Sequence, residues 1–391
     1  MKKLISLLLA LVMVLGLAAC GGNSAPAATE APKADAPAAP AATEAPVVEA
    51  PAEVDWANVK IDFSKIPQEK LDTTLYLAAS VRDPSSPYIA TIIKGMEMFA
   101  DFLRANGQKC ETQVLDSGAD SVKEVDNMRQ FAAKANGNAI AYADPNESSI
   151  AYSLAEAMAE SGGYIGTAWN KDPDVAPADL TPNWVTHTSP DDSVNGYLIA
   201  KALFEYMGGE GKIFVCQGML GNSAATGRYN GLQKALAEYP NIVVAGDDTG
   251  NWLPDEAMNL VETWLTQHPD VGGVWCANDN MATGALKALD NAGLKGKVGV
   301  VGIDANTDIV EGVRDGYVVA TVSSNGYVQG GYTLAICYAA WAGIIDVANM
   351  PNEYREFATP AKLIDSPEAA EEYLSSTPEF DFADIFWCKA D

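Results

Sequence analysis

Gly273-Val274-Trp275-Cys276-Ala277-Asn278-Asp279-Asn280-Met281-Ala282-Thr283-Gly284-Ala285 is the stretch on which the reading of the fold turns. Gly273 to Cys276 form an apolar run of strand length, with no polar residue alternating into it. The polar turn Asn278-Asp279-Asn280 follows at once, and the spacing beyond it predicts a helix over 279–291. A continuous apolar strand that runs straight into a helix belongs to a parallel sheet covered on both faces.

The same unit recurs on either side. Toward the N-terminus, strands are predicted at 74–79, 112–116, 139–143 and 163–168, with helices at 89–103, 122–135 and 149–160 between them. The first helix carries Ile89, Ile92, Ile93, Met96, Phe99, Ala100 and Leu103 on one face, and Gly107 ends it. Around the quoted stretch, helices at 192–207, 223–239, 255–267 and 279–291 alternate with strands at 212–217, 242–245, 273–276 and 298–303. Two such series predict an α/β protein of two doubly wound parallel-sheet lobes. Roughly 335 residues are available for them, more than one hydrophobic core organises.

In such sheets ligands collect beyond the carboxyl ends of the strands. The loops there are polar and aromatic: 80–88, Asp144-Pro145-Asn146 and Trp169-Asn170 in the first series. The second series has 217–223, 248–252, Asn278-Asp279-Asn280 and Asp304-Ala305-Asn306. Carboxylates and amides accept and donate several hydroxyl hydrogen bonds, while an indole covers the apolar side of a ring. The set suits a polyhydroxylated ligand. Asp192 and Asp279, each opening a helix, read as N-caps.

Composition excludes other classes. A net charge of −27 argues against nucleic acid and against docking on anionic lipid. The two histidines, His187 and His268, stand in no ligand spacing, so neither a metal nor a histidine-based catalytic site is expected. No phosphate loop or dinucleotide fingerprint occurs, and no cofactor is expected. Gly221-Asn222-Ser223 lacks the closing glycine of a nucleophile elbow, because Ala225 takes its place. Cys216 and Cys276, inside apolar strands, read as buried free thiols.

The N-terminus is a different kind of sequence. Lys2 and Lys3 precede an apolar run over residues 4–17, a signal peptide ending at residue 19. Leu17-Ala18-Ala19-Cys20 resembles a bacterial lipobox, with Cys20 as the lipidated residue. From 20 to 55, an Ala/Pro/Glu-rich segment with Pro26, Pro32, Pro37, Pro40, Pro46 and Pro51 reads as a disordered tether. The expected place is outside the cytoplasm, anchored through two acyl chains to the membrane's outer face, in the Gram-positive manner.

Asn222-Ser223-Ala224-Ala225-Thr226-Gly227-Arg228-Tyr229-Asn230-Gly231, the segment from His268 to Ala285, Val300-Val301-Gly302-Ile303-Asp304 and Ala320-Thr321-Val322 together resemble the ribose- and galactose-type substrate-binding proteins of bacterial ABC sugar importers. The resemblance implies the type I periplasmic binding protein fold, its two lobes joined by a hinge that the chain crosses three times. Lobe one would hold 71–188 plus 325–351, and lobe two 189–324 plus 352–391. It also implies ligand contacts at Tyr88 and Asp144 from lobe one and at Arg228, Trp252, Asn278 and Asp304 from lobe two. Ser324 or Asn325 would supply a polar contact at the hinge.

One place departs from the family pattern. Trp169-Asn170 stands where an Asp-Arg pair usually grips ring hydroxyls, which makes both residues ligand candidates and ribose itself a poor expectation. Arg82 and Asp83, in a first loop about two residues longer, either replace that pair or form a surface ion pair. The implied partners are a sugar or polyol and the permease of an ABC importer, served by a monomer. A sensory receptor for a sugar-like signal shares these features, and an enzyme acting in the cleft is the weakest alternative.

Overall fold

The apolar runs become the inner strands of two parallel sheets. The computed structural model describes residues 54–376 and 379–389. The signal peptide, Cys20 and nearly all of the tether lie outside these residues.

Lobe one starts with α1 (Gln68–Asp72), β1 (Leu75–Val81), α2 (Pro87–Ala105), β2 (Cys110–Asp116), α3 (Ser121–Ala135), β3 (Ala139–Ala143), α4 (Ala151–Ala159), β4 (Tyr164–Ala168) and β5 (Trp184–Ser189). Lobe two follows with α5 (Asp192–Tyr206), β6 (Glu210–Gln217), α6 (Ser223–Glu238), β7 (Asn241–Thr249), α7 (Pro254–Leu265), β8 (Gly273–Cys276), α8 (Asp279–Asn291), β9 (Gly299–Val301), α9 (Thr307–Asp315) and β10 (Thr321–Ser323). The chain then runs through α10 (Gly326–Trp341), α11 (Asn352–Arg355), β11 (Glu356–Ala358), β12 (Lys362–Ile364) and α12 (Pro367–Ser375).

The first sheet has the order β2-β1-β3-β4-β5-β11 and the second β7-β6-β8-β9, with parallel pairing throughout. In each, the first strand lies between the second and third, so the order reverses there and opens a crevice at the carboxyl ends. β3 and β8, central in their sheets, are buried at every residue.

Among the elements that periodicity did not mark, two have a clear physical reason. α10 is buried at every residue except Tyr327, so its sequence shows no polar face. β5 carries Thr186, His187 and Thr188, which looks like a surface segment. Its polar groups are satisfied inside: Thr167 Oγ1 meets His187 Nδ1 at 2.9 Å, and Thr186 Oγ1 donates to Arg355 O at 2.9 Å. Burial pushes His187 down to about 3, so it is a neutral core residue.

The C-terminal segment requires a correction to the assignment of 352–391 to lobe two. β11 adds to lobe one, pairing Glu356 to Ala358 with His187 to Ser189. β12 pairs antiparallel with β10 and α12 packs on α9, both on lobe two. Phe382, Ile385, Phe386 and Cys388 then fill the core of lobe one. Phe382 lies 5.5 Å from the Phe99 ring and 5.0 Å from that of Tyr332. Phe382, Ile385 and Phe386 bury too much apolar area to be left on a surface, whereas Trp387 stays half exposed. Beyond the passages near 189, 324 and 359, the chain thus crosses between lobes once more.

Candidate ligand-binding cleft

A cavity of about 580 Å³ lies between the lobes, lined by loops at the carboxyl ends of both sheets. Backbone conformation marks these loops. Trp169, Asn251, Trp252, Asp304 and Ala305 all have positive φ, from 50° to 133°, a region that side chains with a Cβ seldom enter. Such strain gathers where the surrounding structure must aim a side chain.

Lobe one contributes Arg82, Tyr88, Asp144 and Trp169 to the lining. Arg82 Nη2 pairs with Asp144 Oδ2 at 3.1 Å, and the Arg82 side chain is 15% exposed. Of the two readings left open for Arg82, the structure takes the one inside the cleft. Asp83 also reaches the lining, but its Oδ1 accepts from Ser85 N and Oγ and closes the turn before α2. Tyr88 packs edge-on against Trp169, ring centres 5.7 Å apart. Its hydroxyl is buried with no hydrogen-bond partner among the described residues.

Glu124 supports this wall from behind. Its Oε2 accepts from Asn146 N at 2.9 Å and its Oε1 from Ser80 Oγ at 3.1 Å. Burial raises its pKa to about 7. Nothing in its sequence neighbourhood signals this role, because both partners lie more than 20 residues away.

Lobe two contributes Arg228, Trp252, Asn278 and Asp304. Arg228 is held by packing and charge together. A Cβ at Gly196 or Gly231 would collide with backbone of the facing helix, so α5 and α6 pack closely enough to bring Asp192 under the guanidinium. Arg228 Nε donates to Asp192 Oδ1 at 2.8 Å and Nη1 to Ala277 O at 2.7 Å. The rings of Trp169 and Trp252 lie 4.9 and 5.4 Å from it.

Asp304 faces the same guanidinium, with Oδ1 4.0 Å from Nη1. It is 8% exposed, and burial raises its pKa to about 7 against the opposing pull of Arg228. Asn278 caps α8 by accepting from Met281 N, which leaves its amide N–H groups for the cleft. Trp252 Nε1 is buried without a hydrogen-bond partner among the described residues.

The N-cap readings of Asp192 and Asp279 are therefore corrected. Asp191 and Asn278 are the caps, one residue earlier in each case. Asp192 serves Arg228. Asp279 is fully buried, accepting from Thr321 Oγ1 and from Asn306 N at 2.8 Å, which fixes the turn that carries Asp304.

Three further candidates fare differently. Asn170 touches the cavity, but both N–H groups are spent on Asp144 Oδ1 and Pro145 O. Ser324 and Asn325 do not belong to the lining. Asn325 is the N-cap of α10, accepting from Val328 N, and Ser324 Oγ is buried without a partner among the described residues. Met219 and Asn251 reach the lining from the expected loops 217–223 and 248–252 without having been named individually, and Glu256 reaches it from α7, where no site residue was expected. Arranged this way, the cleft sets two guanidinium–carboxylate systems from opposite lobes around one space, with indole faces beside them.

Known proteins share this architecture. The family model described as periplasmic binding protein domain matches residues 77–344. The xylitol-binding protein of Mycolicibacterium smegmatis is 36% identical over 195 residues, 50% of this chain and 54% of that protein, so the alignment spans about half of each. The ribose import binding protein of Salmonella typhimurium is 29% identical over 247 residues, 63% of this chain and 78% of that protein. Among solved structures, a twin-arginine translocation pathway signal protein from Burkholderia phytofirmans superposes with a TM-score of 0.76 at 30% identity, covering 81% of this chain and 98% of that one.

Proposed function

The chain belongs to the periplasmic binding protein domain family, and from that premise we propose that it captures a sugar or polyol between its two lobes outside the cytoplasm and hands it to an ABC importer permease. The observation that carries this reading is the pairing of opposed walls: Arg82–Asp144 on lobe one faces Arg228 and Asp304 on lobe two. Hydroxyl groups both donate and accept, so one polyol satisfies guanidinium donors and carboxylate acceptors together. Trp169 and Trp252 cover the carbon faces. Ligand favours the closed state because it touches both walls only when they are near each other.

The names of the xylitol- and ribose-binding relatives support the ligand class, and both relatives are binding proteins, which favours capture over catalysis. Residues Tyr88, Asp144, Trp169, Arg228, Trp252, Asn278 and Asp304, with Arg82 added, form the proposed contact set. The permease partner, the monomeric state and the lipid anchor at Cys20 complete the proposal. No helix among the described residues is long and apolar enough to cross a membrane.

The test is a thermal-shift series with pentitols, pentoses, hexoses and inositols. A ligand present at about 100 times its Kd adds ~2.7 kcal/mol of stability, an easily measured rise in Tm. Absence of a shift with every polyhydroxy compound, alongside a clear shift with another ligand class, overturns the proposal.

A further inference from the structure

Asn170 is 1% exposed, and its amide is almost wholly committed. Nδ2 donates to Asp144 Oδ1 at 3.0 Å and to Pro145 O at 3.1 Å, both in lobe one. Oδ1 accepts from Ala224 N at 3.3 Å, in the first turn of α6 and hence on lobe two. The reverse amide orientation would set oxygen against two acceptors and NH2 against a donor, so this network permits one assignment only.

The same rim carries further bonds between lobes. Ser223 N donates to Ser148 Oγ at 2.9 Å, and Ser223 Oγ donates to Trp169 O at 3.3 Å while accepting from Lys171 N at 3.2 Å. Ser148 N donates to Gly221 O at 3.3 Å, and Asn222 Nδ2 to Asn146 O at 3.4 Å. On another part of the rim, Asn280 Nδ2 donates to Ser86 Oγ at 3.0 Å. None of these bonds needs a ligand. Ser223 lies outside the lining of the cavity.

We propose that Asn170 is a positioning residue that ties the aim of Asp144 to lobe closure, and that together with Ser223 it forms a latch which holds the lobes shut through protein–protein hydrogen bonds. The latch stabilises the closed state by itself, so ligand dissociation requires breaking it. Asn170 then acts on ligand through Asp144 and through closure, and the ligand-contact role at the end of β4 falls to Trp169. The effect on dissociation rests on the sugar or polyol reading of the cleft, whereas closure itself does not.

The test uses the full chain with spin labels at Val122→Cys and Val243→Cys, both exposed positions on opposite lobes, in a background of Cys20→Ser and Cys110→Ser. Without added sugar, the distance distribution of the parent is expected to be mainly short. Ser223→Ala, which removes two bonds between the lobes, lowers the short-to-long ratio by about tenfold, and Asn170→Ala, which removes one, by about fivefold. Ser223→Thr, which keeps the hydroxyl, retains the parent distribution. With xylitol as probe, Ser223→Ala speeds dissociation by about fivefold or more, and association quickens as well, because ligand enters through the open state that the parent seldom populates. A parent found wholly at the long distance, or distributions identical in the parent and both alanine variants, overturns the latch. Failure to bind xylitol bears on the ligand alone, because the distance measurement decides the latch without it.

Discussion

Arg228 Nε donates to Asp192 Oδ1 at 2.8 Å, and both side chains are buried where the helices α5 and α6 meet beneath the cleft. Asp192 is thus the counter-ion that makes a buried guanidinium tolerable. Burial still raises the Asp192 pKa to about 6, with Arg228 pulling the other way. The ligand-facing part of Arg228 is what remains after Asp192 and Ala277 O have taken their share.

Arg228→Ala is expected to abolish ligand binding and also to destabilise the fold by ~3–5 kcal/mol, because it strands the Asp192 carboxylate. Asp304→Ala should abolish binding with no comparable loss, since this carboxylate has only the distant Arg228 contact. Calorimetric titration with the best ligand from the thermal screen, beside denaturant unfolding, separates the two outcomes. Equal stability of both variants would contradict the assignment of Asp192.

Arg82→Ala should weaken binding by about ten- to a hundredfold, the worth of a hydrogen bond from a charged donor. The fold should survive, as Arg82 stands at the cleft edge and is partly exposed. Unaltered affinity would make Arg82–Asp144 a structural pair only.

Acidity offers a third check. The folded-state pKa of Asp304 is raised to about 7 from 3.8. Between those values the folded protein holds more protons than the unfolded chain, so this group makes stability fall as pH rises from about 4 to 7. Glu124, raised to about 7, and Asp192, raised to about 6, act with the same sign. Unfolding free energies of the parent should therefore lose ground to those of Asp304→Asn across this window. Ligand hydroxyls donate to the ionised carboxylate, so affinity is expected to rise up to about pH 7 and then level off. A pH-independent difference between the two proteins would rule out Asp304 as the titrating group.

Phe382→Ala should cost ~3–5 kcal/mol, the usual loss for a buried phenylalanine. A chain ending at Ser376 should lose at least as much, since it also gives up Ile385, Phe386 and Cys388. Melting curves decide this. An unchanged Tm for the shortened chain would mean that the last segment does not contribute to the core of lobe one.

Local pattern carries a long way in this protein. Apolar runs between helix-period segments announced parallel sheets and two lobes, and loops at the strand ends held Tyr88, Asp144, Trp169, Trp252, Asn278 and Asp304, while Arg228, inside a helix, came only from the family resemblance; all seven line one cavity. Those signals are local because strand and helix periodicity are set within a few residues. Tertiary structure alone decided which polar atoms are already spoken for. Asn170 is committed to Asp144, Pro145 and Ala224, whereas Arg82 is kept inside the cleft. It also moved Ser324 and Asn325 out of the lining, gave Asp192 to Arg228 and returned Phe382 to lobe one. The reason is common to all of these: a side chain's hydrogen bonds and burial depend on atoms brought from distant parts of the chain, and no spacing in the sequence records which of them arrive.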